Sequence, residues 1–127
     1  MYSPYVIDSN ILIGFLNGNQ KIAKWILDKK ASGASLYISY ISIIEVLSLK
    51  ELKEKDIENL EKFLNSFLQI PISDEIVRFS ATLRRKNILA LGDAIIAGTV
   101  ISKKGILVTN DKTLAKKASQ FVEVISI

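Results

Sequence analysis

The feature that most restricts the fold of this sequence is an alternation of short apolar runs with longer segments of helical periodicity. The helical segments carry apolar residues three or four positions apart, as in residues 57–67, which is typical of helices that bury one face. Strands that alternate with such helices predict a parallel sheet covered on both faces. We therefore expect an α/β fold, a three-layer α/β/α sandwich with a central parallel sheet. The predicted strands lie at residues 5–7, 36–40, 68–72, 106–108 and 121–125.

Local signals predict where several elements begin and end. Ser42 and Glu45 have the spacing of a capping box, which predicts a helix that continues through residues 46–52. Pro71 predicts that the third strand is an edge strand or ends early. No repeat or linker divides the chain, so we expect one domain over residues 1–127. Helices are also predicted over residues 11–16, 21–31, 94–102 and 113–118, and two more begin at residues 56 and 73. Gly92 and Asp93 open the helix of residues 94–102.

Composition excludes several kinds of chemistry. The 127 residues include no His and no Cys, which excludes disulfides, thiolate or imidazole catalysis, and metal sites that use either residue. The 17 Lys and Arg residues exceed the 13 Asp and Glu residues, and the net charge of +4 is compatible with an anionic partner. No apolar run is long enough to span a membrane and no signal-peptide pattern is present. We expect a cytoplasmic protein without membrane association.

Four acidic residues differ from the others because they adjoin segments predicted to be buried. Asp8 follows the first strand directly, and Glu45 lies within an apolar run. Asp93 adjoins the apolar start of a helix, and Asp111 follows the fourth strand after two polar residues. We expect all four at the carboxyl end of a strand or in the first turn of a helix. In a parallel sheet these ends share one edge, which is the usual position of a ligand site.

Each of these acids also has a purely structural interpretation. Asp8 and Asp93 could be N-caps of the helices that follow them, since Asp is a preferred capping residue. Glu45 could be the second member of the capping box, and Asp111 could be a turn residue. The Thr109 hydroxyl and the Asn110 amide, next to Asp111, could orient water, a carboxylate or a phosphate, or could simply shape the turn.

Considered together, the acids predict a cation site. Four carboxylates brought close together repel one another, and a divalent cation would supply the missing counter-charge. Ligation by oxygen atoms alone favours Mg²⁺ or Mn²⁺. Because a chain without His cannot cleave RNA with paired imidazoles, metal-activated hydrolysis is the route that remains. Two or three of these carboxylates and several water molecules would complete the octahedral coordination of the cation. We expect the cation, and the catalytic residues, among Asp8, Glu45, Asp93 and Asp111.

The sequence resembles PIN-domain nucleases and, among the compact single-domain members of that family, VapC-type toxins. The resemblance lies in four segments whose order and spacing match the family. These segments are residues 6–12 (VIDSNIL), 44–46 (IEV), 91–97 (LGDAIIA) and 108–111 (VTND).

This resemblance implies a PIN-like α/β/α fold and Mg²⁺- or Mn²⁺-dependent hydrolysis of RNA phosphodiester bonds. By position, it implies that the four acids named above bind the metal and that Ser9 and Thr109 support them. It further implies a homodimer and, for a toxin, inhibition by an antitoxin protein.

Other functions are compatible with the same sequence. A PIN-domain nuclease can process RNA without being a toxin, and the fold could also be a non-catalytic module that binds RNA or protein. A receiver-like phosphoacceptor would also place acids at strand ends, but it would need paired acids where Ser9 and Asn10 follow Asp8. The candidate RNA contacts, which could equally be ordinary solvated positions, are Lys50, Lys53, residues 84–86, Lys112, Lys116 and Lys117.

Overall fold

The structure, a computed structural model, describes residues 3–86 and 88–127 and is built around one five-stranded sheet. All neighbouring strands pair in parallel, and their order across the sheet is β3-β2-β1-β4-β5. The predicted parallel sheet is confirmed. Its strands are β1 (Tyr5–Ile7), β2 (Leu36–Ser39), β3 (Leu68–Ile70), β4 (Ile106–Val108) and β5 (Glu123–Ile125).

Seven helices in the described residues cover the two faces of the sheet. One face packs against the first four helices through a core that includes Ile7, Ile11 and Leu64. The other face packs against the last three through a core that includes Val6, Ile96 and Leu114. The three-layer prediction is therefore confirmed. The helices are α1 (Ser9–Leu16), α2 (Gln20–Ala31), α3 (Tyr40–Leu47), α4 (Glu54–Asn65), α5 (Asp74–Arg85), α6 (Leu91–Lys103) and α7 (Lys112–Ala118).

The central pair of strands positions the candidate site. β1 lies between β2 and β4. The chain therefore adds β2 and β3 on one side of β1 and later adds β4 and β5 on its other side. Ile7 is in register with Val108, and the Asp8 amide donates a hydrogen bond of 3.0 Å to the Val108 carbonyl. The residues that follow β1 and β4 are thereby held side by side at the carboxyl edge, where parallel sheets reverse their strand order and bind ligands.

Two predicted helix starts are wrong. α3 begins at Tyr40, because Ser39 at the end of β2 is its N-cap and accepts a hydrogen bond of 3.1 Å from the Ile41 amide. Ser42 is therefore a buried residue inside α3 rather than a capping-box residue, and the helix ends at Leu47 instead of continuing through residue 52. The helix α6 begins at Leu91, and its N-cap, Ala90, makes no side-chain hydrogen bond.

Other boundaries differ by fewer residues. α4 begins two residues before position 56, and β5 begins two residues after position 121. β2 and β3 end at Ser39 and Ile70, before the predicted ends at 40 and 72. β3 lies at an edge of the sheet, as the proline at position 71 predicts.

The helix α6 is fixed by a close crossing with α5. Gly98 faces α5 so closely that a Cβ atom built on it would lie 2.7 Å from the Ser80 Oγ atom and 3.2 Å from the Ile76 carbonyl oxygen. Ala94 and Ala97 of α6 are fully buried beside this crossing. The first turn of α6 is thus held in position by packing along the rest of the helix. Among the described residues, no helix is both long and apolar enough to cross a membrane.

Candidate functional site

Asp8 is the most buried acid at the carboxyl edge of the sheet. It follows β1 directly and is the N-cap of α1, with its Oδ1 atom accepting a hydrogen bond of 2.9 Å from the Ser9 amide. The residue is only 6% exposed. Burial is the main cause that raises its pKa above the ordinary value. The capping interpretation of Asp8 is therefore correct, but it accounts for only one of the two carboxylate oxygens.

The second oxygen of Asp8 is held by Thr109. The fully buried Thr109 hydroxyl donates a hydrogen bond of 2.8 Å to Asp8 Oδ2 and accepts one of 3.1 Å from the Asp111 amide. The Asn10 amide group donates a further bond of 3.3 Å to the same hydroxyl. Thr109 thus links the ends of β1 and β4 and opposes the rise in the pKa of Asp8.

Asp111 is the N-cap of α7. Its Oδ1 atom accepts hydrogen bonds of 3.0 and 3.1 Å from the amides of Thr113 and Leu114, so its second oxygen is not used by the cap. The structural interpretation of Asp111 is therefore correct, because its Oδ1 atom caps the helix that follows the turn. Asn110, immediately before it, is exposed and accepts a hydrogen bond of 2.8 Å from the Ile127 amide.

Glu45 has no capping role. It lies in the second turn of α3, so the expectation that every one of the four acids occupies a strand end or a first helical turn is wrong for this residue. Burial raises the pKa of Glu45, and the negative charges of Asp8 and Asp93 raise it further, whereas a hydrogen bond from the Ser9 side chain opposes the shift. These interactions place Glu45 beside the carboxyl edge.

Asp93 lies in the first turn of α6 but is not its N-cap. Its side chain is partly buried, and burial followed by the charge of Asp111 raises its pKa, while the charge of Lys117 lowers it. The capping interpretation of Asp93 is therefore wrong. Lys117 was a sequence candidate only for RNA contact or for an ordinary solvated position, and no local signal places it near Asp93, which lies in a different helix.

The electrostatic couplings connect all four acids. Asp8 is coupled to Asp93 and Asp111, and Glu45 is coupled to Asp8 and Asp93. The ion pairs within residues 3–86 and 88–127 join exposed side chains on single helices, and none of them includes one of the four acids. Among the described residues, the structure therefore brings the predicted acids to one edge of the sheet and forms no ion pair between any of them and a basic side chain, although the charge of Lys117 acts on Asp93.

Comparison with known proteins identifies the family of this chain. The profile of the PIN domain matches residues 5–120, which is most of the sequence. The chain belongs to the PIN domain family. Comparison with curated proteins finds no match.

Solved structures similar to this PIN domain come from bacteria and an archaeon. A toxin–antitoxin complex from Klebsiella pneumoniae contains a chain that is 27% identical, with a TM-score of 0.78 and coverage of 95% of both chains. The VapBC2 complex of Rickettsia felis, bound to promoter DNA, contains one that is 23% identical, with a TM-score of 0.77 and coverage of 97% of this chain and 98% of that one. PAE2754 of Pyrobaculum aerophilum is 24% identical, with a TM-score of 0.63 and coverage of 99% of this chain and 92% of that one. The resemblance to VapC-type structures is confirmed.

PIN domains generally use divalent metal ions, and the donor chemistry of this PIN domain fits such an ion. All the candidate ligands are carboxylate oxygens, and burial, followed by the charges of neighbouring acids, raises the pKa of Asp8, Glu45 and Asp93. In the described part of the chain, however, no three acidic side chains are already arranged as a metal-binding group. The cavity of about 620 Å³ between α1 and α4 contains none of these acids and is separate from this edge.

The raised pKa values have a defined effect on stability. A carboxyl whose pKa is higher in the folded protein than in the unfolded chain binds its proton more tightly when folded. The free energy of unfolding therefore falls as the pH rises from about 4 through the raised pKa values, and the loss is complete above them. Asp8, Glu45 and Asp93 all contribute in this direction when no metal is bound.

One residue of the site was not among the sequence candidates. Asn10 donates to Thr109 and, through its Oδ1 atom, accepts a hydrogen bond of 3.4 Å from the Asn110 amide. It therefore joins the start of α1 to the loop that follows β4. Its position two residues after Asp8, on a helix that begins at the sheet edge, is a signal from which this role could have been predicted.

Proposed function

We propose that this PIN domain, spanning residues 1–127, is a metal-dependent endoribonuclease that hydrolyses RNA phosphodiester bonds and is the toxin of a toxin–antitoxin pair. The observation that carries the proposal is the environment of Asp8. This carboxylate is buried at the ligand-binding edge of the sheet, is coupled to other acids, and has no basic partner within the described residues. Such an arrangement is unfavourable in isolation and becomes favourable when a cation is present.

The residues proposed to hold Mg²⁺ or Mn²⁺ are Asp8, Glu45, Asp93 and Asp111. A divalent cation bound there would lower the pKa of a water molecule, polarise a phosphoryl oxygen and stabilise the leaving oxyanion. The protein's own contribution is to fix its carboxylates before the substrate arrives. Thr109 and the Ser9 amide hold the two oxygens of Asp8, and the cap of α7 holds one oxygen of Asp111.

The surface charge of the chain supports an RNA substrate. When the four acids are set aside, 17 basic residues remain against nine of the 13 acids. An anionic polymer would be attracted to this surface by phosphate contacts that do not depend on base sequence and weaken with salt. Lys112, Lys116 and Lys117 lie on the helix that Asp111 caps, next to the candidate site.

The toxin assignment is supported by the Klebsiella pneumoniae structure, which is described as a toxin–antitoxin complex and resembles almost the whole chain. We accordingly propose an antitoxin protein as partner, a homodimer as the assembly and the cytoplasm as the location. The second candidate is a PIN-domain nuclease of RNA processing. Expression of the toxin in a bacterial host should stop growth, the Asp8→Asn variant should not, and a small protein encoded beside the gene should restore growth.

The cleavage assay uses labelled RNA with the wild-type protein, Asp8→Asn and Asp93→Asn, each in Mg²⁺, Mn²⁺ or chelator. Cleavage by the wild type alone, and only with a metal, is the expected result. Cleavage that persists in chelator or in both variants would come from a contaminating ribonuclease. If no RNA in a randomised pool is cleaved with either metal, the non-catalytic binding module becomes the better interpretation.

Metal binding can be measured independently of cleavage. Calorimetric titration of the purified protein with Mn²⁺ should give a binding isotherm that Asp8→Asn weakens. Glu75→Gln is a suitable control, because it removes an equal charge from an exposed position in the first turn of α5. If wild type and the Asp8→Asn/Asp93→Asn variant bind the metal equally, the site assignment is wrong.

A further inference from the structure

A cavity of about 310 Å³ adjoins the candidate site at Asp111. It is formed by residues 109–111 after β4, by Lys112 and Ala115 of α7, and by residues 126–127 after β5. Its volume is at the lower end of the range, about 300–1,000 Å³, that is typical of small-molecule sites. Polar and apolar groups both line it, which suits a ligand with a flat ring and hydrogen-bonding edges.

The cavity shares two residues with the candidate site. Thr109 lines it and donates to Asp8 Oδ2 at 2.8 Å, and Asp111 lines it while capping α7. A group bound in the cavity is therefore beside Asp111 and is connected to Asp8 through the Thr109 hydroxyl. In an RNA chain, the nucleotide next to the cleaved bond has to occupy a position of this kind.

Asn110 gives the cavity a fixed hydrogen-bond donor. Its Oδ1 atom accepts from the Ile127 amide at 2.8 Å, so the orientation of the side-chain amide is determined by this bond. Its backbone amide donates to Asn10 Oδ1 at 3.4 Å, which anchors the residue at a second point. Within residues 3–86 and 88–127 no hydrogen bond uses Asn110 Nδ2. A donor held in this way can recognise a carbonyl oxygen on a base, as guanine and uracil present.

We propose that this cavity is a nucleotide-binding subsite that holds the base adjacent to the scissile phosphodiester bond of RNA and gives the enzyme its base preference. The proposal rests on the ribonuclease function proposed above. Asn110 donates to the base, Ala115 and Ile127 contact its ring, and the ammonium group of Lys112 attracts the neighbouring phosphate.

The first experiment measures base binding without metal or cleavage. Uridine and guanosine are titrated into ¹⁵N-labelled protein in chelator; because these nucleosides are uncharged, the carboxylates do not repel them. We expect shifts of the amide signals of residues 110–115 and 126–127. Ala115→Leu, which adds bulk on the cavity side of α7, should weaken binding at least about tenfold. Thr113→Leu, which adds bulk at an exposed position of the same helix outside the cavity, should leave it unchanged.

Ser126→Phe fills the cavity from the opposite wall and provides a second test if Ala115→Leu does not fold. The subsite proposal is wrong if the wild type and a folded cavity-filled variant bind the nucleosides equally. It is also wrong if the wild type binds neither nucleoside.

The second experiment sequences the ends produced from a randomised RNA pool in Mg²⁺ or Mn²⁺. The wild type and Thr113→Leu should show the same base preference at one position beside the cut, and Ala115→Leu should lose it while still cleaving. An unchanged preference in Ala115→Leu would refute the subsite but leave the ribonuclease intact. A complete lack of cleavage by the wild type would instead refute the proposed function, and the nucleoside titration would still decide whether the cavity binds a base.

Discussion

Replacing Thr109 by valine tests the central connection of the candidate site. Valine keeps the shape of the buried side chain but removes the hydroxyl that donates to Asp8 Oδ2 at 2.8 Å and accepts from the Asp111 amide at 3.1 Å. A hydrogen bond to a charged group contributes about 1.5–3 kcal/mol, and an amide left without its acceptor adds to the loss. We expect Thr109→Val to lower the free energy of unfolding by about 2–4 kcal/mol at pH 7.5 in chelator.

The matched control is Thr109→Ser, which keeps the hydroxyl and removes a buried methyl group. Its expected cost is about 1 kcal/mol. Serine should therefore be the better replacement, although valine preserves the volume of threonine. Urea unfolding followed by far-UV circular dichroism measures both variants, and the midpoint of Thr109→Val should fall by about 1–2 M.

A double-mutant cycle identifies the partner of the hydroxyl. Combining Thr109→Val with Asp8→Ala should give a coupling free energy above about 1 kcal/mol, because the hydroxyl has little to stabilise once the carboxylate is absent. If the two changes are additive within about 0.5 kcal/mol, or if Thr109→Val is as stable as Thr109→Ser, the hydrogen bond does not contribute as the geometry indicates.

Three further predictions concern two other acids of the site and the crossing of α6 with α5. Asp93→Asn should unfold at a higher temperature than wild type at neutral pH in chelator, and its stability should fall less as the pH rises above about 4. An unchanged dependence of stability on pH would contradict the raised pKa of Asp93. Asp111→Ala should lose about 0.5–2 kcal/mol through the cap of α7 whereas Asp111→Asn should lose little, as thermal unfolding would show. Gly98→Ala should lower the free energy of unfolding by about 1–3 kcal/mol, because the new Cβ atom would overlap Ser80. Gly92→Ala is the control and should be neutral or stabilising, since nothing lies within 4 Å of its Cβ position. Equal melting temperatures for the two variants would refute the close helix crossing.

The strands and the layers of the fold could be predicted from the sequence because both depend on short-range patterns. Apolar runs such as residues 106–108 are too short for helices, and the segments between them have helical periodicity, so alternation alone predicts a parallel sheet. The start of α3 could not be predicted in the same way. Ser39 and Ser42 are both acceptable caps, and the choice between them depends on where β2 stops pairing with β3, which is a tertiary property.

The candidate site was predictable in part, for a related reason. Asp8 follows β1 directly and Asp111 follows β4 after two residues, so the topology of a parallel sheet brings them together once the fold is known. Glu45 lies one and a half turns into α3, and its approach to Asp8 and Asp93 depends on how that helix packs against α1. Lys117 gains its position near Asp93 only through the helix that carries it, whereas Asn10 lies two residues after Asp8 and its role could have been predicted.

The structural and functional interpretations of these acids are not alternatives. At the carboxyl edge of a parallel sheet a strand ends where a helix begins, so an acid at that point caps the helix and faces the ligand edge for the same geometric reason. Asp8 and Asp111 do cap their helices, and in each case one carboxylate oxygen is not used by the cap. Capping alone would be served equally well by Ser or Asn, which do not repel their neighbours. Burial and, to a smaller extent, the charges of Asp93 and Asp111 raise the pKa of Asp8, which has no basic partner in the described residues. A cation therefore explains this arrangement better than helix capping does.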